Sequence, residues 1–303
     1  MQRTGKTRPK KLSKDAVSAY LLILPFFLFF TVFVLYPILQ NILNSFTNNN
    51  MARNEFIGFA NYERLLRDKS FLRSIGNTFL YAAFSIVPLM ALGFLAALAV
   101  NRPSKAMVAA RAVLIYPYVV SMVAVSMIWL YLYEPGTGLF NKMLAALGLP
   151  RSDWLFDEGL ALPCLIVMNV WKNMGYVMII YLAALQSVPQ GLIDAATVDG
   201  AGFVSRIRHI TLPHIRPVSF FLLATLSIEC FKTFDQVRIM TNGGPVDATT
   251  TITHQIYIRA FSEFKMGYAS AMSVVLFAIV LAITLLNLRF GGQLRERSGE
   301  DGR

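Results

Sequence analysis

The sequence predicts an all-α, polytopic membrane protein with six transmembrane helices and both termini on the cytoplasmic side. Three observations lead there. Of 303 residues, 55% are hydrophobic and only 15% charged, with a mean hydropathy of +0.53; a soluble domain carries about 25% charged residues. The apolar residues come in blocks of about 20, the length a helix needs to cross a hydrocarbon core of about 30 Å. The basic residues stand between the blocks and favour alternate loops, as membrane orientation requires.

The elements follow in chain order. Residues 1–18 form a basic cytoplasmic tail, with six basic residues from Arg3 to Lys14. Spans are expected at about 19–43, 77–100, 111–133, 160–187, 217–240 and 267–289, and residues 290–303 form a cytoplasmic tail. The run after the first tail is longer than the apolar stretch of about 7–15 residues in a signal peptide and lacks a small-residue cleavage site, so it reads as a retained span. With the N-terminus inside, the cytoplasmic segments hold sixteen Lys and Arg and the outer loops nine. The first outer loop dissents, with Arg53, Arg64, Arg67, Lys69 and Arg73. Its segment NYERLLRDKSFLRSI reads as a short amphipathic helix lying on the outer membrane surface.

Small residues four apart, Gly93 with Ala97 and Gly267 with Ala271, suit close helix approach in the bilayer. Pro25, Pro37, Pro88, Pro117 and Pro163 fall inside spans, where neighbours can re-satisfy freed carbonyls. Cys164 and Cys230 lie in apolar blocks without metal-ligand spacing and read as buried small hydrophobes. The net charge of +11 is explained by topology, and the basic patches lack the interleaved aromatics of a nucleic-acid groove. Gly5-Lys6-Thr7 mimics the end of a phosphate-binding loop, but only four residues precede Gly5 and the flanking strand and helix are missing. No metal-ligand spacing links His209, His214 and His254, and no nucleophile–base constellation stands out.

Two places carry function. Residues 190–217, QGLIDAATVDGAGFVSRIRHITLPHIRP, read as helix, turn and helix. Asp194 is expected in the first helical turn, where a carboxylate suits the dipole. Gly200 and Gly202 mark the turn. Phe203, Ile207 and Ile210 make one apolar face, and Pro213 ends the second helix at or before Leu212. Such a face outside the membrane needs lipid or a groove on another protein. In span four, Asn169, Lys172, Asn173 and Tyr176 form one stripe. In span five, Glu229, Lys232 and Asp235 step by three, with Phe234 and Phe231 beside them, and the charges must pair along the helix or face a wet cavity. These are candidate substrate-path residues; interhelical hydrogen bonding uses the same residue types.

Asp194-Ala195-Ala196, three residues, Gly200, nine residues, then Ile210-Thr211-Leu212-Pro213 resembles the EAA loop of bacterial ABC-importer permeases. The only departure is Asp194 for the usual Glu. PFFLFFTVFVLYPILQNILNSFTN, FIGFANYERLL, EPGTGLFNKMLAALGL, FDQVRIMTNGGP and FKMGYASAMSVVLF are similar to further segments of that family's maltose and glycerol-phosphate branch, so the resemblance covers about 20–290. The large outer domain of the maltose permease has no counterpart. The resemblance implies a type I importer permease fold in a bacterial inner membrane, among membrane lipid. It implies that the loop at 190–213, with Ala201 in its turn, docks on an ATPase. The partners it implies are a second permease subunit, two ATPase subunits and an extracytoplasmic solute-binding protein, with a carbohydrate-type solute. This chain would bind no cofactor and catalyse no hydrolysis; ATP and Mg2+ would sit on the ATPase subunits. Rival readings are an ion-gradient-driven secondary transporter and a non-transporting scaffold or receptor.

Overall fold

The computed structural model describes residues 14–50 and 54–300. Most of the basic N-terminal tail, the Gly5-Lys6-Thr7 stretch, Arg53 and Arg303 lie outside the described residues. Among the described residues, five helices are long and apolar enough to cross a bilayer: Tyr20–Asn44, Lys69–Val100, Ala161–Gln186, Phe203–Met240 and Met266–Arg289. Lys105–Val119 and Met122–Leu132 pass the same test only together, as a pair bent by 95°, and make a sixth span when taken as one broken span. These are spans one, two, four, five, six and three respectively. Helices suit this setting because they satisfy their own backbone donors and acceptors where no water is present.

Three expectations about the spans are corrected. Span two starts at Lys69, earlier than the expected 77, because Asp68 caps it by accepting from the Ser70 and Phe71 N–H groups. Span three is two helices, broken at Val120 and Ser121, which adopt extended backbone. Span five begins at Phe203 and is interrupted after Phe231, with Lys232 and Phe234 outside regular helix.

Pro213 does not end the second loop helix. A π turn, Ile207–Thr211, precedes it, with Leu212 N–H donating to the Ile207 carbonyl, and Pro213 falls in the first turn of the helix Leu212–Phe231. The missing proline N–H is harmless there, and the wide turn makes room for the ring. Span one repeats the device: the π turn Thr31–Leu35 runs into Tyr36–Asn44, with Pro37 near its start.

Span two packs along span four and span five, and span six along span five and the end of span one. The main core gathers Tyr81, Leu89, Leu165, Met168, Met178 and Leu222, each almost fully buried. Cys164 and Cys230 are buried with them. Small residues set the approach distances. A Cβ on Gly93 would meet the Val177 side chain, one on Gly175 would collide with the Leu114 carbonyl of span three, and one on Gly267 with the Thr47 carbonyl. Span one is the exception to burial, since none of its apolar window is covered by the rest of the chain.

The short amphipathic helix expected in the first outer loop forms over part of the stretch, and it packs on the chain itself. Ala60–Arg67 forms a helix, and the rest of the stretch is the start of span two. Leu65 and Phe71 are buried in a small second core with Ile252, Tyr268, Ala271 and Met272. Asp68 is the hub of this layer. It accepts from the Tyr268 hydroxyl at 2.7 Å and lies 3.5 Å from Arg259, which also pairs with Glu263. Burial alone raises the Asp68 carboxyl, but the bonds from Tyr268 and the Phe71 N–H, with the Arg259 charge, outweigh it and leave the group below its ordinary 3.8. Glu263 is likewise held below its ordinary 4.5, with Lys265 and Arg259 overcoming the upward effect of burial.

Two outcomes follow from this packing. Replacing Gly175 with valine should destabilise the protein by about 1–3 kcal/mol through overpacking, read as a lower melting temperature in detergent; an unchanged value would mean the Leu114 contact gives way freely. Both carboxyls are depressed in the fold, so their contribution is complete above their ordinary values and is lost as pH falls through the lower folded ones. Melting temperature should therefore drop below about pH 4, with a smaller drop over that range in Asp68→Asn.

Candidate functional site

The loop of residues 190–213 is built from its backbone bonds. Pro189, with φ of −59°, leads into the helix Gln190–Val198. Asp194 is thus the fifth helical residue and not in the first turn as expected; its carboxylate accepts from the Gln190 side chain at 2.9 Å. The helix closes with the Gly200 N–H donating to the Thr197 carbonyl and the Ala201 N–H to the Ala196 carbonyl. This is the Schellman arrangement, which requires a left-handed residue after the cap. Gly200 supplies it with φ of +77°. The spacing from Ala196 to Gly200 is therefore a stop signal written in backbone geometry.

Gly202 then starts the second helix, Phe203–Arg206, and the Arg206 guanidinium donates to the Thr197 hydroxyl across the turn. Phe203 and Ile207, with Ile193, line a cavity of about 200 Å³ against Leu98 and Leu185 at the ends of spans two and four. Ile210 packs on the main core. The expected single outward face of Phe203, Ile207 and Ile210 is therefore corrected: much of it turns back on the chain's own spans, because the π turn shifts the helical phase. The exposed apolar groups are Leu192, Val198, Phe203, Val204 and Leu212, with Val198 88% and Val204 74% accessible. Ala195 and Pro213 are exposed, and Ala196 and Ala201 partly so. Leu192, Val198 and Val204 escaped the sequence reading because they do not share one helical stripe.

Span four and span five meet at a second place. Asn169, Asn173, Tyr176, Glu229, Lys232, Phe234 and Asp235 line one cavity of about 400 Å³, together with residues the sequence did not single out, Tyr118, Thr225 and Gln236 among them. The Asn173 amide donates to the Asn169 side chain at 2.8 Å, and Tyr176 stacks on Tyr118 with ring centres 4.9 Å apart. Glu229 and Lys232 are exposed to this space and stand 4.0 Å apart. Asp235 opens the next helix beyond the interruption, so the expected three-step pairing along one continuous helix is corrected.

The interruption has its own partners. The Thr253 hydroxyl donates to the Phe231 carbonyl at 3.2 Å, and the Thr251 hydroxyl to the Thr233 carbonyl at 3.1 Å. The buried Gln236 amide donates to the Tyr81 hydroxyl at 2.7 Å. The Gly243-Gly244-Pro245 turn is held by Thr249, whose N–H and hydroxyl donate to the Gly243 and Gly244 carbonyls.

Lys172 is the one candidate that does not line the cavity. It is 5% exposed, and its Nζ donates to the Tyr118 carbonyl at 3.0 Å and the Pro117 carbonyl at 3.5 Å. Those carbonyls lose their helical donors where span three breaks, so the ammonium caps the exposed end of the helix Lys105–Val119. On span four it lies about 100° round the helix from Asn173, enough to face span three. The sequence signal was Pro117 inside a span; the lysine that answers it is 55 residues away.

A family model described as a binding-protein-dependent transport system inner membrane component matches residues 89–295. The chain belongs to that family. The matched region holds spans three to six, the loop at 190–213 and most of the cavity wall. Two relatives extend the likeness over nearly the whole chain. One is the sn-glycerol-3-phosphate transport system permease protein UgpA of Yersinia pestis bv. Antiqua, 35% identical over 89% of this chain and 92% of the relative. The other is the diacetylchitobiose uptake system permease protein NgcF of Streptomyces coelicolor, 36% identical over 94% and 85%. Among solved structures, a chain of a bacterial alginate ABC transporter, crystallised with an alginate pentasaccharide-bound periplasmic protein, superposes with a TM-score of 0.83 at 25% identity, covering 93% of this chain and 96% of that one. The fold is thus that of ABC transporter permeases.

Removing the Lys172 ammonium forfeits pairing of about 1–3 kcal/mol per carbonyl, against about 2.5–3.5 kcal/mol recovered by not burying a charge. Stability should change little and geometry should carry the effect. With spin labels at Val113 and Tyr131, on either side of the bend, Lys172→Met should broaden the distance distribution and Lys172→Arg should restore it. Identical narrow distributions in all three proteins would show that the bend does not depend on the lysine.

Proposed function

We propose that this chain is one permease subunit of an ATP-driven, binding-protein-dependent importer that carries a carbohydrate-type or glycerol-phosphate-type solute across a bacterial inner membrane. The observation that carries the reading is the 190–213 loop. Two short helices joined by a left-handed glycine present Leu192, Val198 and Val204 to the outside while packing on the ends of spans two and four. A patch of this kind at a span end suits a groove on a partner protein. The family match and the solute names carried by the two relatives support the rest.

In this reading both termini and the loop face the cytoplasm. A second, distinct permease subunit completes the channel, two ATPase subunits hold ATP and Mg2+, and a solute-binding protein docks on the outer side. The cavity between spans four and five is this chain's share of the solute path. Closure of the ATPase pair pushes the loop and turns the cavity outward, and the push counts only through the different affinities of the two states. Span five carries it, since the helix that leaves the loop reaches Glu229 and Cys230 at the cavity.

The test is Gly200→Val in the complete transporter. Nothing lies within 4 Å of a Cβ there, so the substitution strains the backbone without crowding a neighbour. A β-branched residue at positive φ is a severe outlier. Solute uptake should fall at least about tenfold, the equivalent of about 1.4 kcal/mol of coupling, while the ATPase subunits still hydrolyse ATP. Normal uptake would falsify the docking role. Uptake that persists without the ATPase and collapses with an ionophore would favour a secondary transporter.

A further inference from the structure

We propose that the cavity wall built by this chain acts as a charge filter, favouring an uncharged or amino-bearing saccharide over one that carries a phosphate or carboxylate. The proposal rests on the importer reading above and narrows its solute class. Three charged side chains line the cavity: the carboxylates of Glu229 and Asp235 and the ammonium of Lys232. Among the described residues lining it there is no arginine and no histidine. Lys232 is already answered by Glu229 at 4.0 Å. Asp235 stands beyond the helix interruption, with no further cation on the cavity wall to answer it. Behind the wall lies one more cation, the buried Lys172 ammonium, 5.4 Å from the Tyr118 ring centre and committed to the Tyr118 and Pro117 carbonyls. The groups that face the solute directly are two carboxylates and one ammonium, and flanking apolar spans focus their net negative field into the cavity space.

An anionic solute meets like charge here, and repulsion of the wrong ligand is a standard route to specificity. An uncharged sugar meets acceptors for its hydroxyl groups in the two carboxylates, amide chemistry at Asn173, and the aromatic face of Tyr176. An ammonium on an amino sugar would pair directly with Asp235.

The field can be measured without knowing the solute. In the complete transporter, with Cys164→Ala and Cys230→Ala, a thiol is placed on the cavity wall as Thr225→Cys, and in a second variant as Asn173→Cys. Its reaction rates are compared for cationic trimethylammonium-ethyl and anionic sulfonatoethyl methanethiosulfonate, each scaled to its rate with free mercaptoethanol. Assembly is checked by co-purification of the ATPase. The cationic reagent should react about tenfold faster or more, and Glu229→Gln with Asp235→Asn should bring the ratio close to one. A ratio at or below one, a ratio unmoved by the double variant, or thiols at both positions that react with neither reagent would overturn the filter. So would uptake of sn-glycerol 3-phosphate by cells carrying the whole system at a rate matching an uncharged disaccharide. Failure of the importer reading has a different signature: no ATP-dependent uptake of any solute, with the reagent ratio intact.

Discussion

The architecture depends on one constraint: no backbone carbonyl can be left unpaired inside a bilayer. This chain breaks two of its apolar helical segments part-way along their length, and each break is closed by side chains from elsewhere. Lys172 of span four answers the Pro117 and Tyr118 carbonyls of span three. Thr251 and Thr253, in the segment before span six, answer the Thr233 and Phe231 carbonyls of span five. Both breaks border the cavity, because Tyr118 and Thr233 line it. Polar backbone at these breaks is thus tolerated only where other elements hold it, and those elements are fixed to the cavity wall by the same bonds.

The loop and the cavity are joined by one piece of secondary structure. From Phe203 to Phe231 the chain is helical without a gap, passing from α to π and back to α around Pro213. At about 1.5 Å per residue these 29 positions span about 43 Å, the thickness of a bilayer with its interfaces. The path from the loop to Glu229 is therefore continuous helix, softened by the π turn and by Pro217 in its interior. Regular helix first stops at Lys232 to Phe234, at the cavity.

The number of spans was readable from the blocks of apolar residues, since hydrophobic length is a local property. The break in span three was not, although Pro117 stood in plain view. Proline is tolerated in many spans, and the group that satisfies the carbonyls freed at the break is a lysine brought near by folding. Within the loop, the spacing from Ala196 to Gly200 was legible because it encodes a local cap, whereas the effect of Pro213 was misjudged because a π turn absorbs it. Seven of the eight substrate-path candidates share one cavity. The eighth, Lys172, belongs to the same sequence stripe but sits at its edge, where about 100° of helix rotation separates a cavity wall from a neighbouring span.

Lys172 also bears on how the chain enters the membrane. Span four has a mean hydropathy of 1.4, against 2.5 for span one and 2.6 for span six. A lone lysine near the middle of such a segment weighs against its release from the translocon into lipid. The carbonyls that accept its protons are on span three, which is synthesised first. The two segments are therefore best delivered to the bilayer as a pair, the bent one waiting beside the translocon until its lysine arrives.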